Sequence, residues 1–140
     1  MSAAPSRMVA LGIGCDRHTP YATLAQAIDE ALQQVGVDWH AVQAVASIDL
    51  KADEAAMQAL MQRRGCVIQF YSAAQLAPVP VPNPSETVRR YTGTPSVSEA
   101  AALLAAGGGQ AAPVSALLLE KHKLRGADGR NATVSVAAMC

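Results

Sequence analysis

The amino-acid sequence predicts an α/β protein: a three-layer α/β/α arrangement around a mostly parallel or mixed five-stranded sheet with a C-terminal hairpin. Short apolar runs alternate with segments of helical periodicity through the first half of the chain. This alternation is typical of a sheet that helices cover on both faces. The last two apolar runs lie close enough in sequence to form the hairpin.

Size and composition favour a single domain over residues 1–140. Hydrophobic residues make up 51% of the chain and aromatic residues only 4%, so the expected core is aliphatic. Charged residues make up 16%, and this low charge with a high apolar content argues against intrinsic disorder.

The charge balance and residue usage also exclude several classes of protein. A formal net charge of zero and few aromatic residues argue against a nucleic-acid partner, which needs a basic face or stacking platforms. No apolar run reaches the roughly 18 residues of a membrane span, so no membrane partner is expected. Three widely spaced cysteines do not form a disulfide framework, so the default expectation is a cytoplasmic location.

The five predicted strands are short apolar runs bounded by glycine or polar residues. They cover residues 7–13, 42–48, 66–71, 114–120 and 133–138. A polar loop at residues 123–131 joins the last two strands.

The two helices nearest the N-terminus are predicted from their end signals. Thr19 is a typical N-cap with Pro20 as the first helical residue, and Gly36 ends this helix. A second helix is predicted from about residue 52 to residue 63, and Gly65 ends it.

The later helices flank a proline-rich connector at residues 78–84, which cannot form a helix or a central strand. A short helical turn is predicted before the connector, and a short helix that ends at Tyr91 after it. Ser96 and Glu99 form a capping-box pattern that opens an Ala/Leu-rich helix, which ends at residues 107–109.

The segment that follows the first strand is a candidate anion site. Gly12, Gly14, Cys15 and Arg17 stand just before a predicted helix, whose free N–H groups would attract an anion. The alternative is a plain tight turn, because a lone Gly-x-Gly is weak as a dinucleotide signature. Cys15 is a candidate nucleophile if neighbouring positive charge lowers its thiol pKa, although a small structural thiol is the favoured interpretation.

A second polar cluster follows the second strand, where open α/β sheets place their ligands. Ser47, Asp49 and Lys51 are the candidate functional residues of this cluster. The acidic pair at Asp53 and Glu54 suits the positive end of the following helix, and that interpretation is enough for both residues.

Two further segments are candidates for binding an anionic ligand. The helix that Ser96 opens, which includes Ser98 in its first turn, offers a second N-terminus for an anion. Residues 121–130, with Lys121 and Lys123, are the only cationic segment of a neutral chain. They indicate either a solvated hairpin loop or a mobile clamp for a polyanionic ligand.

We expect neither a metal nor a cofactor. Cys15 with His18, or His122 with Cys140, could be brought together, but their spacing matches no familiar metal-ligand motif. The sequence also lacks a Walker motif, which argues against an ATPase.

Taken together, several of these segments resemble the CobE/CbiG C-terminal domain family of cobalamin biosynthesis, and most of all its stand-alone CobE form. The resemblance covers nearly the whole chain through the order and spacing of its motifs. The motifs are Gly12-Ile13-Gly14-Cys15-Asp16-Arg17, Ser47-Ile48-Asp49-Leu50-Lys51-Ala52-Asp53-Glu54, Pro95-Ser96-Val97-Ser98-Glu99-Ala100-Ala101, Lys121 and Asn131-Ala132-Thr133-Val134-Ser135-Val136-Ala137.

This resemblance implies a cytoplasmic protein that binds a polycarboxylate precorrin-type tetrapyrrole as a carrier or auxiliary enzyme. In two-part CbiG proteins the activity is opening of a precorrin ring lactone with release of acetaldehyde. For that alternative, Asp49 or Glu99 is the candidate base, and Lys51 or Lys121 would stabilise the oxyanion. A further alternative is a module that docks on a precorrin methyltransferase or another pathway enzyme through an exposed apolar patch, such as residues 78–84.

Overall fold

The computed structural model describes residues 7–140 as one five-stranded mixed sheet with helices on both faces. The strands are β1 (Val9–Cys15), β2 (Val42–Ile48), β3 (Ile68–Tyr71), β4 (Leu117–Arg125) and β5 (Asn131–Ala138). The helices are α1 (Tyr21–Val35), α2 (Ala55–Arg64), α3 (Ala73–Leu76), α4 (Glu86–Thr92) and α5 (Val97–Ala106). This architecture confirms the predicted fold class.

The C-terminal hairpin joins the sheet by its second strand. The strand order is β3-β2-β1-β5-β4, with β1, β2 and β3 parallel to one another. Strand β5 lies antiparallel between β1 and β4, from the pair Val9–Ala138 to the pair Cys15–Ala132. The start of β5 therefore lies beside the carboxyl end of β1.

Alternate residues of β1 belong to two different cores, because successive side chains of a strand point to opposite faces. Val9, Leu11 and Ile13 are fully buried against α1 and α2 on one face of the sheet. Ala10 is buried against α5 on the other face. The small side chains on this second face let α5 approach the sheet closely.

Helix α5 lies against the backbone of β1 at Gly12. A Cβ atom on Gly12 would come within 1.8 Å of the Ser98 carbonyl oxygen and 2.5 Å of the Ala102 nitrogen. Every residue of α5 from Ser98 to Ala106 is buried. This contact fixes the N-terminus of α5 beside the carboxyl end of β1.

The structure corrects the predicted positions of two motifs, the glycine motif at the end of β1 and the cationic segment of β4. Strand β1 continues through Cys15, so Gly12 and Gly14 lie within the strand and not in a turn that follows it. Strand β4 continues to Arg125, so Lys121 and Lys123 lie on a strand and not in a mobile loop. Pairing with β5 extends the strand through these polar residues, which local hydrophobicity does not predict.

The predicted helix ends are right in part. Gly36 and Gly65 end α1 and α2 in left-handed backbone conformations, as expected. Pro20 and not Thr19 occupies the N-cap of α1, and a separate 3-10 turn at Asp49–Lys51 delays the start of α2. Among residues 7–140, no helix has the length and apolar character to cross a membrane.

The capping box predicted at Ser96 does not form. Ser96 is the N-cap residue of α5, but its side chain makes no capping hydrogen bond, and its buried hydroxyl has no partner among the described residues. Glu99 instead accepts hydrogen bonds from Asn83.

We expect Gly12→Ala to lower the free energy of unfolding by about 3 kcal/mol, because the new methyl group must push α5 away from β1. Gly14→Ala is the matched control, since its Cβ would meet side-chain atoms and not backbone, the Thr133 hydroxyl at 3.0 Å and Val97 at 3.7 Å. It should cost less than about 1 kcal/mol. Urea unfolding of both variants measures the difference, and equal midpoints would contradict the proposed close packing.

Candidate ligand-binding cleft

A cleft of about 650 Å³ opens at the carboxyl ends of β1 and β2. Its wall includes the end of β1, the turn after β2, the start of α5, the strands of the hairpin and one side of α4. The lining residues are Gly14, Cys15, Asp16, Arg17, Ile48, Lys51, Ser85, Thr87, Val88, Tyr91, Thr92, Val97, Ser98, Lys121, Lys123, Asn131 and Thr133. Ligands of open α/β sheets bind at this edge.

All three lysines of the chain line this cleft. Lys51 comes from the 3-10 turn after β2, and Lys121 and Lys123 are alternate residues of β4. Within residues 7–140, none of the three forms an ion pair. Their ammonium groups are therefore available to an anionic ligand.

Asp16 is the only carboxylate among the residues that line the cleft. Its Oδ2 accepts hydrogen bonds from the backbone N–H of Asn131 at 2.7 Å and from the Asn131 side-chain amide at 3.0 Å. These bonds join the end of β1 to the start of β5. Asp16 thus has a structural role at the edge of a site whose other charges are positive.

Arg17 lines the cleft, but its charge is already paired. Its guanidinium donates to Asp53 at 2.9 Å and to Glu54. Glu54 is only 3% exposed and also accepts the His18 backbone N–H at 3.0 Å. The predicted ligand-binding role of Arg17 therefore competes with an ion pair that connects the β1–α1 loop to α2.

The Cys15 thiol faces the cleft in a form that is poor for nucleophilic attack. Burial raises its pKa to about 11, although the positive charge of Lys51 acts in the opposite direction. At neutral pH the sulfur therefore carries its proton, and the thiolate is the reactive species. This argues for the favoured interpretation of Cys15 as an unreactive thiol.

Five predicted site residues do not line this cleft, and their functional roles stay predictions. Gly12 lies beneath α5, and Ser47 is fully buried, with its hydroxyl donating to the Ile13 carbonyl at 2.6 Å. Ser96 is also fully buried. The two candidate bases lie elsewhere too, since Glu99 is 0% exposed and Asp49 is exposed outside the cleft.

Seven predicted ligand-binding residues do line the cleft. They are Gly14, Cys15, Arg17, Lys51, Ser98, Lys121 and Lys123. Ser98 is buried, with 2% of its surface exposed, and its hydroxyl accepts a hydrogen bond from Ser135 at 2.9 Å. The lysines are therefore the predicted residues whose charged groups can reach a ligand without breaking an existing ion pair.

The sequence analysis missed the part of the wall that α4 contributes. Ser85, Thr87, Val88, Tyr91 and Thr92 all line the cleft. A signal was present in the sequence, because a tyrosine closes a short polar helix that has no predicted core face. Asn131 and Thr133 were also missed as site residues, since only the pairing of β5 with β1 brings them there.

The described residues contain no obvious metal site. Within residues 7–140, no three His, Cys, Asp or Glu side chains are grouped so that they could hold a metal ion. The cleft lining itself offers ammonium groups, hydroxyls, the Cys15 thiol and apolar side chains, beside the paired Asp16 and Arg17.

We expect Glu54→Gln to destabilise the fold by about 1–3 kcal/mol near pH 7. Burial alone would raise the pKa of Glu54, but the His18 N–H and the Arg17 guanidinium outweigh it and hold this pKa below its usual value of 4.5. The stabilisation from the charged form is therefore present above pH 4.5 and is lost as the pH falls through the lowered pKa.

The free energy of unfolding is measured as a function of pH for wild type and Glu54→Gln. The difference between the two proteins should become smaller below pH 4.5. Asp53→Asn is the control, because Asp53 pairs with the same guanidinium from a position that is 73% exposed, and should cost less. A gap of constant size at all pH values would contradict the role of the Glu54 charge.

The chain is similar in sequence to two curated proteins. A curated cobalt-precorrin-5A hydrolase of Priestia megaterium is 33% identical over 131 residues, which make up 94% of this chain and 32% of that protein. A curated Protein CobE of Sinorhizobium sp is 40% identical over 99 residues, 69% of this chain and 64% of that protein. The chain thus spans less than two thirds of the length of both relatives.

The fold agrees with a solved relative. The crystal structure of CobE, a protein from the cobalamin (vitamin B12) biosynthetic pathway, matches with a TM-score of 0.78 and 31% identity, over 100% of this chain and 96% of that chain. The family model described as cobalamin synthesis G C-terminus matches residues 9–137. This chain therefore belongs to that family of cobalamin biosynthesis, which confirms the resemblance found in the sequence.

Proposed function

We propose that this chain binds a polycarboxylate precorrin-type tetrapyrrole in the cleft, as a carrier or auxiliary protein of cobalamin biosynthesis. The observation that carries the proposal is the placement of charge. A chain with no net charge directs all three of its lysines, none of them paired within the described residues, into one cleft.

The ligand chemistry suits this cleft. Precorrins are large, flat rings that carry acetate and propionate groups, so they need both cations and apolar surface. Lys51, Lys121 and Lys123 supply the cations, while the partly exposed Val88 and Val97 supply apolar surface. A shielded bond between an ammonium and a carboxylate contributes about 1.5–3 kcal/mol. Three such bonds are consistent with affinity on the order of micromolar after the ordering costs.

Several observations favour binding over opening of a lactone. The two candidate bases, Asp49 and Glu99, do not line the cleft. Asp16 does line it, but its carboxylate is engaged by Asn131. A general base must lie within hydrogen-bond reach of the proton that it removes. The hydrolase name belongs to a relative of which this chain covers 32%.

The proline-rich connector is a poor docking patch for another pathway enzyme. Val79 is 5% exposed, and Val81 packs partly buried against the same core as α5. These two valine side chains face the core, so the connector offers a partner only its exposed prolines, Pro78, Pro80 and Pro84. The cleft is therefore the better candidate for function.

Replacement of Lys51 and Lys121 together by Gln should weaken binding of uroporphyrin, a flat tetrapyrrole polycarboxylate used as the probe, by about tenfold or more. Fluorescence titration at two salt concentrations measures the effect, and wild-type affinity should fall as salt rises. Arg125→Gln is the control, because Arg125 is an exposed cation on β4 that does not line the cleft. Equal affinity in the lysine variant and wild type would remove these lysines from the site.

Anaerobic incubation with a precorrin lactone should shift the absorbance spectrum of the ligand without changing its mass. This outcome follows if the cleft binds the ring and lacks a free general base. Absorbance spectra and mass spectrometry of the recovered ligand test both points. A net mass change equal to the gain of one water and the loss of one acetaldehyde would contradict the carrier role and would make Asp16 the first carboxylate to replace.

A further inference from the structure

Helix α4 forms one side of the cleft, yet it packs weakly on the protein. Its seven residues, Glu86–Thr92, include none that is buried. Helices this short are marginal in water unless packing supports them. Something other than a buried face must therefore hold α4 in place.

The ends of α4 are held by hydrogen bonds to neighbouring segments. The Ser85 N–H donates to the Pro95 carbonyl at 2.8 Å, and the Thr92 hydroxyl lies 3.0 Å from the Thr94 carbonyl. Just before the helix, the Asn83 side-chain amide donates to Glu99 at 2.6 Å and to Glu120 at 3.0 Å. These bonds position α4 over the cleft while its body makes few contacts.

One face of α4 is directed into the cleft. Val88, Tyr91 and Thr92 follow one another at helical spacing, and all three line the cleft. Tyr91 is 79% exposed, so most of its ring makes no contact with the residues that the structure describes. Arg89 and Arg90 do not line the cleft, and both are exposed.

We propose that Tyr91 and Val88 of α4 pack against the flat face of the tetrapyrrole, while the three lysines bind its carboxylates. This inference rests on the proposed function and adds the residues that select a flat ring over other polyanions. Any polycarboxylate can satisfy Lys51, Lys121 and Lys123. Only a broad apolar ring also covers the exposed Tyr91 ring and gives α4 the packing that it lacks.

Tyr91→Ala should weaken the binding of uroporphyrin by about tenfold, because the stacked aromatic surface is lost. Tyr91→Phe keeps the ring and should recover most of that loss. Arg90→Gln is the control on the same helix, since Arg90 is exposed and does not line the cleft. The Arg90→Gln variant should bind uroporphyrin with the affinity of wild type. Fluorescence titration gives all four dissociation constants.

Limited digestion with trypsin supplies a second measurement that does not depend on affinity. Saturating uroporphyrin should slow cleavage after Arg89 and Arg90 much more than cleavage after Arg63, which lies on α2 away from the cleft. Local packing of α4 protects only its own sites. Equal protection from trypsin at all sites would mean that the ligand stabilises the whole fold. That result would contradict the proposed packing of α4 against the ligand.

The outcomes separate this inference from the proposed function. If Tyr91→Ala binds like wild type while the variant at Lys51 and Lys121 binds weakly, the role of α4 is wrong and the cleft remains the binding site. If wild-type protein shows no saturable binding of uroporphyrin, both proposals fail. Selective weakening by Tyr91→Ala, with recovery by Tyr91→Phe and selective protection of α4, supports both.

Discussion

The close contact between α5 and β1 is the constraint on which the rest of the structure depends. Because Gly12 has no side chain, the backbone of α5 reaches the sheet at Ser98. The contact places the first turn of α5 at the carboxyl end of β1, where the cleft opens. From that turn, Glu99 reaches Asn83 and so positions the segment that leads into α4. Any side chain in place of Gly12 would push the backbone of α5 away from the sheet and would move this wall of the cleft with it.

The cleft also shows why local charge matters more than net charge. The cations at the cleft fall into two groups, since Arg17 is neutralised by Asp53 and Glu54 whereas the lysines are unpaired among the described residues. Arg17 stabilises the contact between the β1–α1 loop and the segment that precedes α2, and the lysines remain available to an anionic ligand. A protein with zero formal charge can therefore present a positive site to a polyanion.

Glu99 shows how a residue with suitable chemistry can serve structure instead. Its position in the first turn of a helix suggested either a cap or a catalytic base. The structure buries it completely and satisfies it with the Asn83 N–H and side-chain amide. Its partner lies 16 residues earlier, in the proline-rich connector, and no local pattern reveals such a pairing.

The sequence by itself determined the strand–helix order, the glycine helix ends at Gly36 and Gly65, and the family, because periodicity, caps and motif order are local properties. Tertiary structure alone decided that β5 lies beside β1, which brings Lys121 and Lys123 to the cleft that Lys51 lines. It also decided that Ser47 and Asp49 lie outside that cleft, while Lys51 lines it. The physical reason is that hydrogen-bonded pairing between distant strands and the packing of α5 set these positions, and neither is encoded in neighbouring residues.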